Sequence, residues 1–265
     1  MKKKLITLIT FISIISAILC LFGLGWVLKD QWIEAKSSVI PNQPTKKSIP
    51  SSDKNVQITA LGDSLTRGTG DPEGKGYIGY MLDDLKKKSS KKLQLTNSAI
   101  KGQTTSQLLS QLQQEEIQRQ IKGADIILLT IGGNDLFQGG QALVNLAQYD
   151  KKKVEKPYIA NLKKIYSTIR SINKKATIFH IGLYNPFMDI EESKVTSEIV
   201  RMWNYDSANL AANYPKIVYV PTFDLFELNT NDYLFNDNFH PNAAGYKLIG
   251  ERVASLITFS EEKSK

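Results

Sequence analysis

The stretch VQITALGDSLTR, residues 56–67, puts a serine directly after a run that is typical of a β-strand. Val56 to Leu61 is short, apolar and rich in β-branched residues, as expected of a strand buried on both faces of a sheet. A glycine-rich segment follows, so Ser64 lies where a buried strand gives way to a loop. The serine is a turn residue, part of a phosphate-binding loop or a nucleophile, and the rest of the chain has to discriminate among the three.

Further apolar runs alternate with amphipathic stretches along the chain. The remaining strands are predicted at 93–99, 125–132, 177–183 and 217–223. Helices are predicted at 77–88, 105–121, 158–172, about 191–213 and 241–257, the last with Pro241 at its first helical position. This alternation predicts an α/β fold with a five-stranded parallel sheet covered by helices on both faces.

Polar clusters follow the predicted strands, at the sheet edge where ligands bind in such folds. They are Gly62 to Ser64, Asn97 with residues 100–104, Gly132 to Asp135, and residues 236–241 just before the last helix. The phosphate-loop interpretation fails, because Gly74-Lys75 is followed by Gly76 and Thr69 stands where the first glycine of the motif belongs. The elbow motif G-x-S-x-G also fails, because Thr66 replaces its second glycine.

A serine nucleophile needs a histidine base, and the base needs a group to orient it. The chain has two histidines. His180 lies inside an apolar strand, which favours a core histidine, whereas His240 lies in a polar loop three residues after Asp237. That spacing allows the Asp237 carboxylate to accept a hydrogen bond from Nδ1 while Nε2 faces outward, although an ordinary turn aspartate would have the same spacing.

Acyl transfer also needs donors for the developing oxyanion. The backbone N–H groups of Ser64 and Gly102 and the side-chain amide of Asn134 are the predicted donors. Gly102 and Asn134 are each equally compatible with ordinary turn roles. No Cys/His cluster predicts a metal site.

Taken together, these residues resemble a known superfamily. The segments Gly62 to Leu65, Gly102, Gly132 to Asp135 and Asp237 to His240 resemble, in order, the four blocks of the SGNH (GDSL) hydrolases, and residues 60–80 are most similar to the YpmR-like branch of Gram-positive bacteria. The resemblance implies a flavodoxin-like three-layer α/β/α sandwich and no cofactor. It also implies Ser64 as nucleophile, His240 as base, Asp237 as its orienting group, and an oxyanion hole of Ser64, Gly102 and Asn134.

The beginning of the sequence predicts a membrane anchor. Leu5 to Leu28 is free of charged residues and, as a helix, would be about 36 Å long, enough to cross a bilayer. Lys2, Lys3 and Lys4 place residues 1–4 in the cytoplasm and the remainder outside. The apolar run is longer than in a cleavable signal peptide, which favours an uncleaved anchor. Cys20, the only cysteine, is interpreted as part of this helix.

The remaining organisation follows from composition. Residues 29–55 are predicted to be an extended linker, 56–259 the hydrolase domain and 260–265 a polar tail. Residues 1–29 contain four lysines and no acid, so the net charge of +8 falls to +4 for the rest, which does not predict a nucleic-acid partner.

The predicted function is a membrane-anchored extracellular ester hydrolase. The substrate would be a lysophospholipid or other lipid ester, or an O-acyl group on a polysaccharide. The alternative is a catalytically idle module that binds glycans or lipids. Apolar residues in two loops either line an acyl site or pack over the sheet: Phe137, Leu143, Tyr184, Phe187 and Met188.

Overall fold

A five-stranded parallel sheet forms the centre of the fold in this computed structural model, which describes residues 55–137 and 151–259 and, by itself, position 16. The residues from 55 onward belong to one unit, Ser51–Lys265. The strand order is β2-β1-β3-β4-β5, which is the flavodoxin-like order, and all five predicted strands are confirmed. The strands are β1 (Val56–Gly62), β2 (Leu93–Asn97), β3 (Ile126–Thr130), β4 (Thr177–Ile181) and β5 (Ile217–Val220).

Ten helices are described in these two ranges, and the longer ones correspond to the predicted amphipathic stretches. Four short helices of four or five residues were not predicted: α1 (Ser64–Arg67), α5 (Gly133–Phe137), α8 (Phe223–Phe226) and α9 (Thr230–Tyr233). The longer ones are α2 (Gly76–Lys88), α3 (Thr105–Gln111), α4 (Glu115–Gly123), α6 (Lys151–Ile172), α7 (Ser193–Ala212) and α10 (Ala243–Leu256).

Helices cover both faces of the sheet, because successive side chains of each strand point to opposite faces. Ile127 and Leu129 of β3 belong to a core formed with α3, α4, α6 and α7. Leu128 belongs to a second core, formed with α2 and α10. The result is the predicted three-layer sandwich, in which the central strands β1, β3 and β4 are buried on both sides and the edge strand β2 is partly exposed.

Three predicted helix boundaries are wrong. The predicted helix 105–121 is two helices, because the chain turns tightly at Leu112 to Gln114, where the Leu112 carbonyl accepts a hydrogen bond from the Gln118 side chain at 3.1 Å. The helix predicted to begin after Pro157 begins at Lys151 and includes that proline.

The last helix does not begin at Pro241. Asn242 is its N-cap, with the side chain accepting a hydrogen bond from the Gly245 N–H at 3.0 Å. Pro241 instead forms an antiparallel bridge with Leu234. The Asn242 side chain satisfies one of the donors in the first turn that lack a partner within the helix, which favours a start at Ala243.

The predicted membrane segment, Leu5 to Leu28, lies outside the described residues except for Ser16. The predicted linker 29–55, apart from Asn55, and the tail 260–265 lie outside them as well. Within the described part of the chain, no helix has both the length and the apolar character needed to cross a membrane.

His180 is the core histidine that its strand position predicts. Its side chain is buried in β4, and Nδ1 lies 2.5 Å from the Tyr166 hydroxyl. Burial lowers the pKa of His180 to about 4, so the folded protein holds the ring neutral. In the unfolded chain the pKa of a histidine is about 6.5. The unfolded state therefore binds more protons between pH 6.5 and 4, and the stability contributed by the neutral ring is lost as pH falls through this window.

We expect His180→Gln to lose less stability in acid than the unsubstituted protein. Glutamine offers the Tyr166 hydroxyl an acceptor but has no proton to gain on unfolding. Between pH 7 and pH 4 its free energy of unfolding should fall by about 3 kcal/mol less. Urea unfolding at the two pH values measures the difference, and an equal loss in both proteins would contradict a buried neutral histidine.

Candidate active site

Ser64, His240 and Asp237 form a continuous hydrogen-bonded chain. The Ser64 Oγ lies 2.8 Å from Nε2 of His240, and Nδ1 of the same ring lies 2.7 Å from Oδ2 of Asp237. Ser64 and His240 are separated by 176 positions in the chain, so the fold brings them together. An ionised Asp237 accepts the Nδ1 proton, which leaves the Nε2 lone pair directed at the serine hydroxyl.

Asp237 is held in its ionised form by its own turn. Partial burial raises the pKa of this carboxyl, but hydrogen bonds from the His240 ring and from the His240 and Phe239 backbone outweigh it, so the pKa lies below its usual range. The two backbone N–H groups donate to Oδ1 at 2.9 and 3.0 Å. Oδ2 is thereby left to the histidine. Asn238, which lies between Asp237 and Phe239 in the sequence, has a φ of 54°. Asparagine adopts this left-handed conformation more readily than most residues.

The loop that carries His240 is fixed at both ends. The backbone of Phe235 donates to the His240 carbonyl at 2.7 Å, and that of Asn242 donates to the Tyr233 carbonyl at 2.9 Å. The Tyr184 hydroxyl donates to the Phe239 carbonyl at 2.6 Å from the other side. The imidazole therefore has a defined position although its loop is partly exposed.

Ser64 is the first residue of the short helix α1, immediately beyond the end of β1. Asp63 is the helix N-cap, and its side chain accepts a hydrogen bond from the Leu65 N–H at 3.0 Å. A first helical residue has a backbone N–H that no carbonyl of its own helix accepts. The N–H of Ser64 therefore has no acceptor within α1.

Asp63 lies next to Ser64 and forms hydrogen bonds that the sequence did not predict. The Thr130 hydroxyl donates to its carboxylate at 2.7 Å, and Thr66 links Thr130 to Tyr77 through hydroxyl contacts of 2.8 and 2.9 Å. Burial raises the pKa of Asp63 to about 6. The sequence placed Asp63 in the Gly62 to Leu65 block without a role of its own, and its preference for a helix N-cap could not be recognised because the helix has only four residues.

The second and third predicted blocks are joined at the same edge of the sheet. The Asn134 amide donates to the Gln103 carbonyl at 3.0 Å, which leaves its second N–H for another acceptor. Asp135 accepts from the N–H and hydroxyl of Thr105 at 2.9 and 2.5 Å, and partial burial raises the pKa of its carboxyl. These contacts fix Asn134 relative to the loop that contains Gly102, whose φ is 74°.

All predicted site residues meet at one cleft of about 740 Å³. Ser64, Gly102, Asn134, Asp237 and His240 all line it. A second, much smaller pocket opens beside Ser64 and Asn134. Within residues 55–137 and 151–259, no group of three or more His, Cys, Asp or Glu side chains is arranged to hold a metal ion.

Some of the apolar loop residues singled out in the sequence line the two cavities, and others do not. Phe137 lines both cavities, Tyr184 lines the small pocket and Phe187 lines the cleft. The Met188 sulfur accepts a hydrogen bond from the Asn185 side chain and is not among the lining residues. Leu143 lies outside the described residues.

A parallel α/β sheet with a serine–histidine pair beyond the carboxyl end of its first strand is the arrangement of a serine hydrolase. The model of the GDSL-like lipase/acylhydrolase family matches residues 60–248, and the chain belongs to this family. The protein is accordingly a carboxylic-ester hydrolase, and the resemblance seen in the sequence motifs is confirmed.

Individual relatives agree with this membership. The chain is 36% identical to YpmR of Bacillus subtilis (strain 168) over 211 residues, 77% of this chain and 82% of that protein. It is 30% identical to the spore germination lipase LipC of Bacillus licheniformis over 213 residues, 75% of this chain and 94% of the lipase. The crystal structure of the lipase Lip_vut3 from a goat rumen metagenome superposes with a TM-score of 0.66 at 28% identity, covering 76% of this chain and 97% of that one.

Gly62 determines how closely the serine approaches the next strand. Its φ is 128°, and a Cβ at this position would lie 2.0 Å from the backbone oxygen of Thr130. We expect Gly62→Ala to destabilise the fold by about 3 kcal/mol or more, because both the backbone conformation and the strand pairing would have to change. Urea unfolding measures this loss.

Gly123→Ala is the matched control. Gly123 ends α4, and no atom lies within 4 Å of its added Cβ. Its stability should change by no more than about 1 kcal/mol. Comparable losses in the two variants would mean that β1 and β3 do not approach as described.

Proposed function

We propose that this protein is a membrane-anchored extracellular serine ester hydrolase in which Ser64, His240 and Asp237 act as a catalytic triad. The observation that carries the proposal is the unbroken chain from the Asp237 carboxylate through the His240 ring to the Ser64 hydroxyl, with contacts of 2.7 and 2.8 Å. Both distances lie within the hydrogen-bond range that proton transfer requires.

The mechanism follows from the direction of these hydrogen bonds. The His240 Nε2 removes the proton from Ser64 as Oγ attacks the ester carbonyl, and the ionised Asp237 stabilises the imidazolium. The imidazolium then protonates the leaving alcohol, and an acyl-serine forms. Water attacks this acyl-enzyme with His240 again as base, which releases the acid and restores the serine.

The developing oxyanion would be bound by three donors at the carboxyl ends of the strands. They are the backbone N–H groups of Ser64 and Gly102 and the second N–H of the Asn134 side chain. Asn134 is held by Gln103, and Ser64 is held by the cap of α1, so these two donors do not have to reorganise during the reaction. Preorganised donors of this kind contribute about 3 to 4 kcal/mol each.

An idle SGNH-fold module that only binds glycans or lipids is the alternative. Such a module would have no need to keep the serine, its base and the orienting carboxylate in hydrogen-bonding geometry. Their contacts therefore favour catalysis. The candidate substrates are lipid esters, lysophospholipids among them, and O-acyl groups of a polysaccharide.

The anchor part of the proposal rests on sequence alone. Leu5 to Leu28 lacks charged residues and follows three lysines, and residues 29–55 connect it to the hydrolase domain at 56–259. A flexible chain of roughly 27 residues spans about 30 Å on average. The active site would then reach the outer leaflet and the inner layers of the cell wall.

Ser64→Ala should abolish ester turnover and also labelling by a fluorophosphonate probe. The substitution removes the nucleophile but little packing, so the melting temperature should stay within about 2 °C. Turnover of p-nitrophenyl acetate and butyrate and fluorescence of the labelled protein are the measurements.

Ser106→Ala, which removes an exposed hydroxyl from α3, is the matched control and should retain both signals. Labelling that persists in the Ser64 variant would place the nucleophile elsewhere. A folded unsubstituted protein that neither turns over nor reacts with the probe would favour the idle module.

Protease added to intact protoplasts should remove the hydrolase domain and leave a short membrane-embedded fragment. The prediction follows from the lysines before Leu5, which orient the anchor with the domain outside. Immunoblotting of membrane fractions before and after lysis measures it, with a cytoplasmic protein as the protected control. A domain that becomes sensitive only after lysis would reverse the topology.

A further inference from the structure

Two cavities of very different size meet at Ser64. The small pocket is about 20 Å³ and the cleft about 740 Å³. Ser64, Asn134, Phe137 and two further residues border both. An ester bound at Ser64 therefore has its two halves in differently shaped spaces, and the question is which half enters which.

The position of His240 answers that question. His240 and Asp237 line the cleft and do not line the small pocket. The histidine must protonate the leaving alcohol oxygen, so the alcohol has to depart on the side of the ring. The cleft consequently receives the alcohol, and the acyl group points away from His240 into the small pocket.

Residues outside the small pocket fix two parts of its wall, Tyr184 and Leu183. Tyr184 stacks on Phe226 with ring centroids 4.2 Å apart, and its hydroxyl is bonded to the Phe239 carbonyl. The backbone of Leu183 is bonded at both its N–H and carbonyl to the Asn204 side chain, at 2.9 and 2.7 Å. The Tyr184 ring and the Leu183 backbone are therefore fixed at the wall that a longer acyl chain would meet.

The volume then limits the acyl group. A water molecule needs about 10–15 Å³ measured in this way, so a pocket of about 20 Å³ has room for little more than one methyl group. The lining side chains are mostly apolar, which suits a methyl rather than a polar substituent: Leu65, Phe137, Leu183, Tyr184, Pro186 and Phe239.

The cleft combines apolar walls with polar groups that can bind hydroxyls. Lys101, Asp189, Asn231 and Asn238 border it and offer donors and acceptors. The rest of its lining is largely apolar and includes Phe187, Ile190 and Phe239. Its volume lies in the range of sites that enclose small ligands, about 300–1,000 Å³. A sugar matches this combination of polar groups and an apolar face better than an alkyl alcohol does.

We propose that the preferred substrates are short-acyl esters, acetyl above all, of a carbohydrate alcohol. The inference rests on the proposed triad, because the direction of the leaving group is taken from His240. The acyl-enzyme would be an acetyl-serine, formed as the sugar hydroxyl departs with the proton from His240 and hydrolysed by water to acetate. Long-chain acyl esters would be excluded by Leu183 and Tyr184.

The first test is a chain-length profile of the unsubstituted protein with p-nitrophenyl acetate, butyrate and octanoate. One methylene in an apolar pocket changes kcat/KM by about 10- to 200-fold. We expect acetate to exceed butyrate at least tenfold and octanoate still more. Turnover that rises with chain length would overturn the acyl assignment while leaving the triad intact. If the unsubstituted protein turned over none of the three esters and was not labelled by a fluorophosphonate, the proposed function itself would be refuted.

Two substitutions should move the profile in opposite directions. Leu183→Ala enlarges the pocket and should raise the butyrate-to-acetate ratio about tenfold. Gly133→Ala adds a methyl 3.6 Å from the Leu183 side chain, in a helix that tolerates alanine, and should lower the same ratio. Leu85→Ala, a buried truncation in α2, is the control for general loss of packing and should leave the ratio unchanged.

Unchanged butyrate-to-acetate ratios in both pocket variants would overturn the assignment of the small pocket to the acyl group, whether or not Leu183→Ala is less stable.

A third measurement compares acetate release from cellobiose octaacetate with fatty-acid release from lauroyl lysophosphatidylcholine micelles. We expect the first to be at least 100-fold faster. The reverse order would assign the cleft to a lipid.

Discussion

The close pairing of β1 with β3 at Gly62 and Thr130 is the constraint on which the site depends. Gly62 has no side chain to keep the Thr130 backbone away, and Asp63 donates its N–H to the Thr130 carbonyl at 3.2 Å. The Thr130 hydroxyl donates to the Asp63 carboxylate in return. The end of β1 is thus hydrogen-bonded to β3 directly before Ser64, the first residue of α1. The sheet therefore determines the position of the serine.

The other parts of the site are tied to the sheet in a similar way. Asp135, just beyond β3, binds the start of α3 through Thr105, and this contact sets the loop that supplies Gly102. His240 is brought in by a loop bonded to Tyr184, which follows β4. Three strand ends therefore contribute contacts to one cleft, which is the reason that residues far apart in sequence keep hydrogen-bonding distances.

The sequence predicted the elements whose signal is local. Each strand was visible as an apolar run, and Asp237 and His240 were identifiable because their pairing spans only three positions. Asp63 and Thr130 are 67 positions apart, and nothing local indicates that their side chains meet. The break at Leu112 was missed because an apolar periodicity continues through it. The division into a small pocket and a cleft could not be predicted, since it depends on which side chains face Ser64.

The two carboxyls nearest the serine–histidine pair differ because their surroundings differ. Asp237 is partly exposed and receives donors from its own turn and from the ring, so its pKa is lowered and its charge remains available to His240. Asp63 is buried, which raises its pKa to about 6, although the Thr130 hydroxyl and Leu65 N–H oppose this shift. Relative to the unfolded chain, folding therefore favours the ionised form of Asp237 and the protonated form of Asp63, and Asp63 is still ionised above about pH 6. Stability from Asp237 is lost as pH falls, whereas the Asp63 contribution declines as pH rises from about 4 to 6. A full negative charge beside Ser64 would oppose the oxyanion, so the donors to Asp63 both hold the turn and disperse the charge that ionisation places there.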